Sequence, residues 1–280
     1  MSSIERAVAF LDREGRRLDA AWCRVATSQG AGQESALAEL ARFQNDDGGF
    51  GHGLEPDIAA PESNPFAARI ALQVCCAIEA PADAPLVRRL LNWLNEHQDE
   101  DGGWRLAPAV YEHALAPWFA GWSWPSLNPA LDLAGYVARL GLDAPELQQR
   151  TLELFADLAS VQTIVEGGFY NALPFAEYTP RVEHPDHDAY LAALVHQIRT
   201  EAEGGAYEDA GHFFEHVGPA DGPIARRLPS ELVASQLQRL RAEQQADGGW
   251  PTPYDVAWRS WTTACNAATL VQFHGFDSVR

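Results

Sequence analysis

Gln44-Asn45-Asp46-Asp47-Gly48-Gly49-Phe50 is the stretch that decides the fold, because it returns twice. It reappears as Gln98-Asp99-Glu100-Asp101-Gly102-Gly103-Trp104 and as Gln244-Gln245-Ala246-Asp247-Gly248-Gly249-Trp250. The pattern is Q-x-x-D-G-G-aromatic, three times and without a gap. A degenerate copy runs from Gln162 to Phe169 and keeps only Glu166-Gly167-Gly168-Phe169 at its end. Repetition at this length marks a repeat architecture. Upstream of each clear copy, residues 34–44, 86–98 and 230–245 place apolar side chains at i, i+3, i+4 and i+7, the period of an amphipathic helix. The Asp-Gly-Gly that follows stops the helix, since glycine adopts the left-handed turn without strain.

Downstream of the turns lie more apolar helical runs: NPFAARIALQVCCAIEA from Asn64, NPALDLAGYVARLG from Asn128, HDAYLAALVHQI from His187 and WTTACNAATLVQFHG from Trp261. Helices apolar on nearly every side belong inside. The unit is therefore a polar-faced outer helix, a Gly-Gly-aromatic turn, a loop and an apolar inner helix. Nine or ten such helices and no strand alternation predict an all-α, α/α toroid of about five to six hairpins in one domain, 1–280. Each Gln is expected to bond a neighbouring loop, with the aromatic ring stacked on it.

Composition narrows the function classes. The formal charge of −19 over 280 residues argues against nucleic acid and anionic surfaces. No uncharged apolar run is long enough to span a bilayer. The charged beginning MSSIERAVAFLDREG is unlike a signal peptide, so a cytoplasmic protein is expected. The four cysteines, Cys23, Cys75, Cys76 and Cys265, fit no zinc spacing and read as reduced, buried side chains. Nine tryptophans are many for this length, and their faces can line a cavity or stabilise a cation.

The repeats resemble the QW motifs of squalene cyclases and the related Gly-Gly-Trp turns of class II terpene cyclases and prenyltransferase β-subunits. The resemblance covers most of the chain as a pattern. It implies a helical toroid around a cavity and, in the cyclases, protonation of an alkene or epoxide by the middle Asp of a D-x-D-D motif at the mouth of an inner helix. Pro185-Asp186-His187-Asp188-Ala189 resembles that motif, with Asp188 on the acid position, Asp186 on the first Asp and Ala189 in place of the third. The resemblance thus implies Asp188 as the acid, with Asp186 and His187 beside it. Two such aspartates, if both point inward, suit the chemistry, since adjacent carboxylates cannot both ionise cheaply. At a helix start they would equally serve as caps. Trp118, Trp122, Trp124, Trp258 and Trp261 are the candidate cavity aromatics.

Other candidates stand beside these. His52, Glu55 and Asp57, in Gly51-His52-Gly53-Leu54-Glu55-Pro56-Asp57, form a loop that could face a ligand, with paired carboxylates suited to acid–base work. Arg259 could hold an anionic group or form a salt bridge. His212-Phe213-Phe214-Glu215-His216 fits H-x-x-E-H, yet its short glycine-bounded context favours a plain histidine pair over a zinc site. No cysteine has an Asp two residues before it, as the zinc site of prenyltransferase β-subunits needs, and D-D-x-x-D is missing. Neither a metal nor another cofactor is expected. The reading is a terpene-cyclase-like protein acting on a small apolar or isoprenoid-like substrate, an isomerase or lyase by class. The alternatives are a toroid that binds an apolar ligand without chemistry and a carbohydrate-active α/α barrel. A single toroid would use its own cavity or pair with a second copy as a homodimer.

Overall fold

The computed structural model describes residues 1–28 and 32–278. Thirteen α-helices lie among them: α1 (Ser3–Glu14), α2 (Arg17–Ala26), α3 (Gln33–Leu40), α4 (Pro65–Ala77), α5 (Pro85–His97), α6 (Leu127–Arg139), α7 (Pro145–Leu158), α8 (Val161–Val165), α9 (Phe169–Tyr178), α10 (His187–Gly204), α11 (Ala210–Val217), α12 (Ser230–Glu243) and α13 (Arg259–Gln272). The count exceeds nine or ten because short helices such as α8 and α11 are too brief to show periodicity. No strand occurs among the described residues, only two isolated bridges, Gln44 with Phe50 and Ile58 with Leu115. No described helix is long and apolar enough to cross a membrane.

The chain divides into two compact units. One comprises Met1–Ala36, Val161–Ala176 and Asp186–Arg280; the other comprises Leu37–Ser160 and Glu177–Pro185. In the second unit, α4 and α6 are the apolar helices the sequence predicts. Their first turns begin Asn64-Pro65 and Asn128-Pro129, and Asn64 caps α4 by accepting from Ala67 N at 2.9 Å. Proline suits the first turn because its missing N–H has no intrahelical partner there. In the first unit, α13 plays the same part, packed between α1 and α2.

The repeated motif builds one clasp three times. Gln44 Nε2 donates to Gly48 O and to Leu86 O in the first turn of α5, at 2.9 and 3.0 Å. Gln98 donates to Gly102 O and to Leu147 O of α7 at 3.0 and 3.2 Å. Gln244 donates to Gly248 O and to Ser3 O of α1 at 2.8 and 2.9 Å. In each copy the Asp carboxylate accepts from the second glycine's N–H, at 2.9, 3.1 and 3.0 Å. The first glycine has φ of +94°, +85° and +97°, and a Cβ there would lie 2.5, 2.1 and 2.3 Å from a carbonyl oxygen, of Arg89, Arg150 and Arg6. Only glycine meets both demands. Trp104 and Trp250 are fully buried and donate their indole N–H to Leu94 O and Leu240 O. Those carbonyls belong to the last turn of a helix, where partners are short.

The degenerate copy makes no such clasp. Gln162 Nε2 reaches Glu166 Oε1 at 3.4 Å, and Gly168 N donates to Glu201 Oε1 at 2.7 Å. The run expected as an inner helix at His187 is α10, which buries only one stripe: Tyr190, Leu191, Ala193, Leu194 and Ile198. Its other face is exposed.

Candidate functional site

Two loops of the second unit meet over the start of α4. Ala59 N donates to Ala114 O at 3.0 Å and Ala116 N to Asp57 O at 2.9 Å. The loop after the first Gly-Gly turn is thereby tied to the segment that carries Trp118, Trp122 and Trp124. Between them lies an apolar cluster of Ile58, Ala60, Phe66, Leu106, Val110 and Phe119, with Trp122 and Trp124 packed against it. Phe66 is its centre, with ring centroids 4.8 Å from Phe119, 5.1 Å from Trp122 and 6.4 Å from Trp124. Trp118 stands outside, half exposed.

One helical turn beyond Phe66, α4 carries Arg69. Its guanidinium lies between two buried carboxylates, 4.0 Å from Glu55 and 3.7 Å from Asp132 of α6. Positions three apart lie on one helix face, so the aromatic cluster and this charged group occupy successive turns of the same face. A second buried group continues α6. Glu177 meets Arg181 at 3.1 Å and Arg139 at 3.8 Å. Burial pushes the Glu177 carboxyl up to about 7, against the pull of both arginines. The Tyr136 hydroxyl, raised by burial, lies in the field of Glu177, Asp132, Arg69 and Arg139 and so links the two groups. Buried ionised groups are costly unless paired, so three carboxylates set against three guanidiniums is the arrangement burial demands.

The other candidates fall elsewhere. Asp188 has a fully exposed side chain, with His187 beside it at 3.7 Å and about a third exposed. Asp186 is the residue before α10 and adopts a left-handed φ of +60°. Asp186 and Asp188 are exposed and His187 is only half-buried, so these three residues are not enclosed as the dry acid site the resemblance implies would be. Asp188 lines a shallow surface pocket of about 500 Å³ with Leu191, Val195, His196, Arg199 and Arg227. His52 is exposed, its Nε2 2.7 Å from Asn45 Oδ1. Arg259 is a structural residue, bonding Asp247 at 2.8 Å and Gln245 at 2.7 Å and lying 4.6 Å over the Phe10 ring. Trp261 packs on Trp22 at 5.3 Å and Trp258 lies 6.2 Å from Tyr254, both in the first unit.

The H-x-x-E-H histidines have separate partners. His212 Nδ1 lies 2.9 Å from Asp209 Oδ2 and its Nε2 lies 2.7 Å from the Tyr254 hydroxyl. Burial opposes the charge on His212, but the Asp209 carboxylate outweighs it and holds the imidazole above its ordinary pKa. His216 is buried and pushed down to about 4 by that burial, with Tyr207 on Nδ1 at 2.8 Å and Phe169 O on Nε2 at 2.9 Å. Among the described residues, no three His, Cys, Asp or Glu side chains gather as a metal site. The buried thiols are inert; burial pushes Cys23 and Cys75 up to about 12.

Sequence reasoning passed over Phe66, Arg69, Asp132, Arg139 and Glu177. A signal was present for two of them, because Arg69 and Asp132 are charges inside otherwise apolar helical runs. A charge in a buried helix requires a partner.

No family model matches the chain, and no curated protein matches it. Solved structures do. The type II terpene cyclase MstE from Scytonema, in an aspartate-to-alanine variant with merosterolic acid A as product, aligns with a TM-score of 0.63 at 14% identity over 98% of this chain and 96% of that one. An aspartate-to-asparagine variant of the same enzyme, holding geranylgeranyl dihydroxybenzoate as substrate, gives 0.62 at 14% identity over 98% and 97%. A protein from Actinoplanes gives 0.56 at 13% identity over 96% and 98%. The chain has the α/α-toroid fold of the type II terpene cyclases.

Proposed function

We propose that the protein binds an apolar, alkene-bearing molecule of the isoprenoid kind and cyclises it after protonation, with the acid drawn from the Glu55–Asp132 pair. One observation carries the reading: an aromatic cluster, Phe66, Phe119, Trp122 and Trp124, one helical turn from two buried carboxyls that both approach the Arg69 guanidinium. Aromatic faces stabilise a carbocation. Two carboxyls held near one another in a buried site are a chemical source of a proton, since adjacent carboxylates do not both ionise cheaply. That proton adds to the alkene, the cation closes the ring, and loss of a proton from carbon returns the balance. Substrate and product have the same mass. The MstE structure with its geranylgeranyl substrate supports the substrate class at the level of the fold.

The test is incubation with geranyl, farnesyl and geranylgeranyl diphosphates and with squalene, read by mass spectrometry after chromatography. A cyclic isomer is expected, reduced by about 100-fold or more in Asp132→Asn, as for loss of a general acid. Glu55→Gln is expected to act alike, and Asp188→Asn to leave turnover unchanged. Melting curves separate loss of the acid from loss of the fold. Turnover abolished by Asp188→Asn sinks the assignment. A tightly held lipid in native mass spectra, with no product over time, points to a binding toroid.

A further inference from the structure

In the first unit a half-buried carboxylate, an imidazole and two tyrosine hydroxyls line up toward the surface, the last three joined by hydrogen bonds. His212 Nδ1 lies 2.9 Å from Asp209 Oδ2, close enough for the carboxylate to stabilise charge on the ring. With that nitrogen protonated, Nε2 accepts from the Tyr254 hydroxyl at 2.7 Å. The Tyr254 oxygen in turn accepts from the Tyr170 hydroxyl at 2.8 Å. Tyr170 is 59% exposed, so the chain ends in a phenol that solvent and small molecules reach. Each member is held from outside. Asp209 caps α11 through His212 N at 2.9 Å, and Phe169 packs edge-on to the His212 ring at 4.5 Å. His216 donates from Nε2 to Phe169 O, fixing the peptide next to Tyr170. Glu215 on α11 and Glu208 before it are the further charges that face His212, and the buried His216 imidazole lies beside them.

We propose that Asp209, His212, Tyr254 and Tyr170 form an activated-tyrosine site, at which the Tyr170 oxygen attacks the carbonyl carbon of a small ester. The logic is that of a nucleophile whose proton is taken by a base that a third group orients. As the new carbon–oxygen bond forms, the ester's alkoxide leaves with its bonding pair, and takes up a proton from solvent or the imidazolium. The Tyr170 proton passes to Tyr254, and the Tyr254 proton passes to His212 Nε2. The resulting imidazolium is stabilised by Asp209. The exposed Tyr170 ring offers apolar surface to the ester. Tyr170 is the catalytic residue; the other three position it and carry its proton. The site is independent of the isoprenoid reading.

The probe is p-nitrophenyl acetate, with acetylated peptides quantified by mass spectrometry. Tyr111, 46% exposed, serves as the reference phenol in the same chain. Tyr170 is expected to acetylate about ten- to a hundred-fold faster than Tyr111, the lower range for base assistance. Tyr254→Phe, which removes one oxygen, is expected to return Tyr170 to the Tyr111 rate with unchanged melting, and His212→Gln to do the same. Equal wild-type rates for the two tyrosines overturn the proposal and require no variant. So does fast Tyr170 acetylation that persists in Tyr254→Phe.

Discussion

The three clear copies of the motif and the degenerate one at 162–169 differ in what their glycines do. In the clear copies, Gly48, Gly102 and Gly248 lie against a helix backbone, and each motif glutamine bonds the next outer helix. In the degenerate copy, Gly167 and Gly168 also have positive φ, +79° and +95°, but a Cβ at Gly167 would meet the end of the Gln197 side chain at 2.7 Å and not a helix carbonyl, and one at Gly168 only the Asn171 side chain at 3.9 Å. Freed from clasping, that turn leads directly into Tyr170 and the hydrogen-bonded chain to Asp209. The intact motif serves packing, whereas its eroded copy borders chemistry-bearing side chains.

The comparison can be broken at several points. The largest effect is expected at Gly102. Gly102→Ala drives a methyl group into the Arg150 carbonyl in a left-handed conformation, and should cost about 3 kcal/mol or more in chemical denaturation. Gly168→Ala meets no backbone and should cost only the conformational penalty, about 1–2 kcal/mol. Equal costs would remove the distinction. Next comes Gln98→Leu, which strips donors from Leu147 O, Gly102 O and Thr151 Oγ1 in a buried site. A loss of about 2–3 kcal/mol is expected, against less than about 0.5 kcal/mol for Gln162→Leu.

The smallest effect is a difference in acid sensitivity. His216 has its folded pKa depressed from 6.5 to about 4, so it contributes stability above 6.5 that is lost as pH falls toward 4. Asp247 in the third clasp is held below its ordinary 3.8 by Arg259, so its contribution survives until pH falls below the carboxylate range. Amide exchange corrected for intrinsic rates should therefore show residues 161–176 opening between pH 6.5 and 4 while residues 244–250 stay protected. Simultaneous opening of both segments would mean that His216 does not hold the degenerate turn.

The legibility of the site follows the same division. Trp122, Trp124, Glu55 and Asp57 are visible in the sequence as aromatic and acidic residues in loops after the repeated turns, and the structure joins those loops by backbone hydrogen bonds. Asp188 was misplaced because α10 carries enough Ala and Leu to look apolar all round, while half of its surface faces water. Arg259 was ambiguous between ligand and salt bridge until its distance to Asp247 was known. Tyr170 and Tyr254 are 84 residues apart, and nothing in either local sequence announces that their hydroxyls meet.

The sequence by itself determined the helical repeat, the turns between helices and the places where only glycine fits. These are consequences of local periodicity and of backbone angles that one residue type alone adopts freely. The tertiary structure decided which carboxylates are buried, which arginine faces them and which tyrosine reaches His212. Those facts depend on distances between segments far apart in the chain, and burial and pairing, not residue type, set what a titratable group can do.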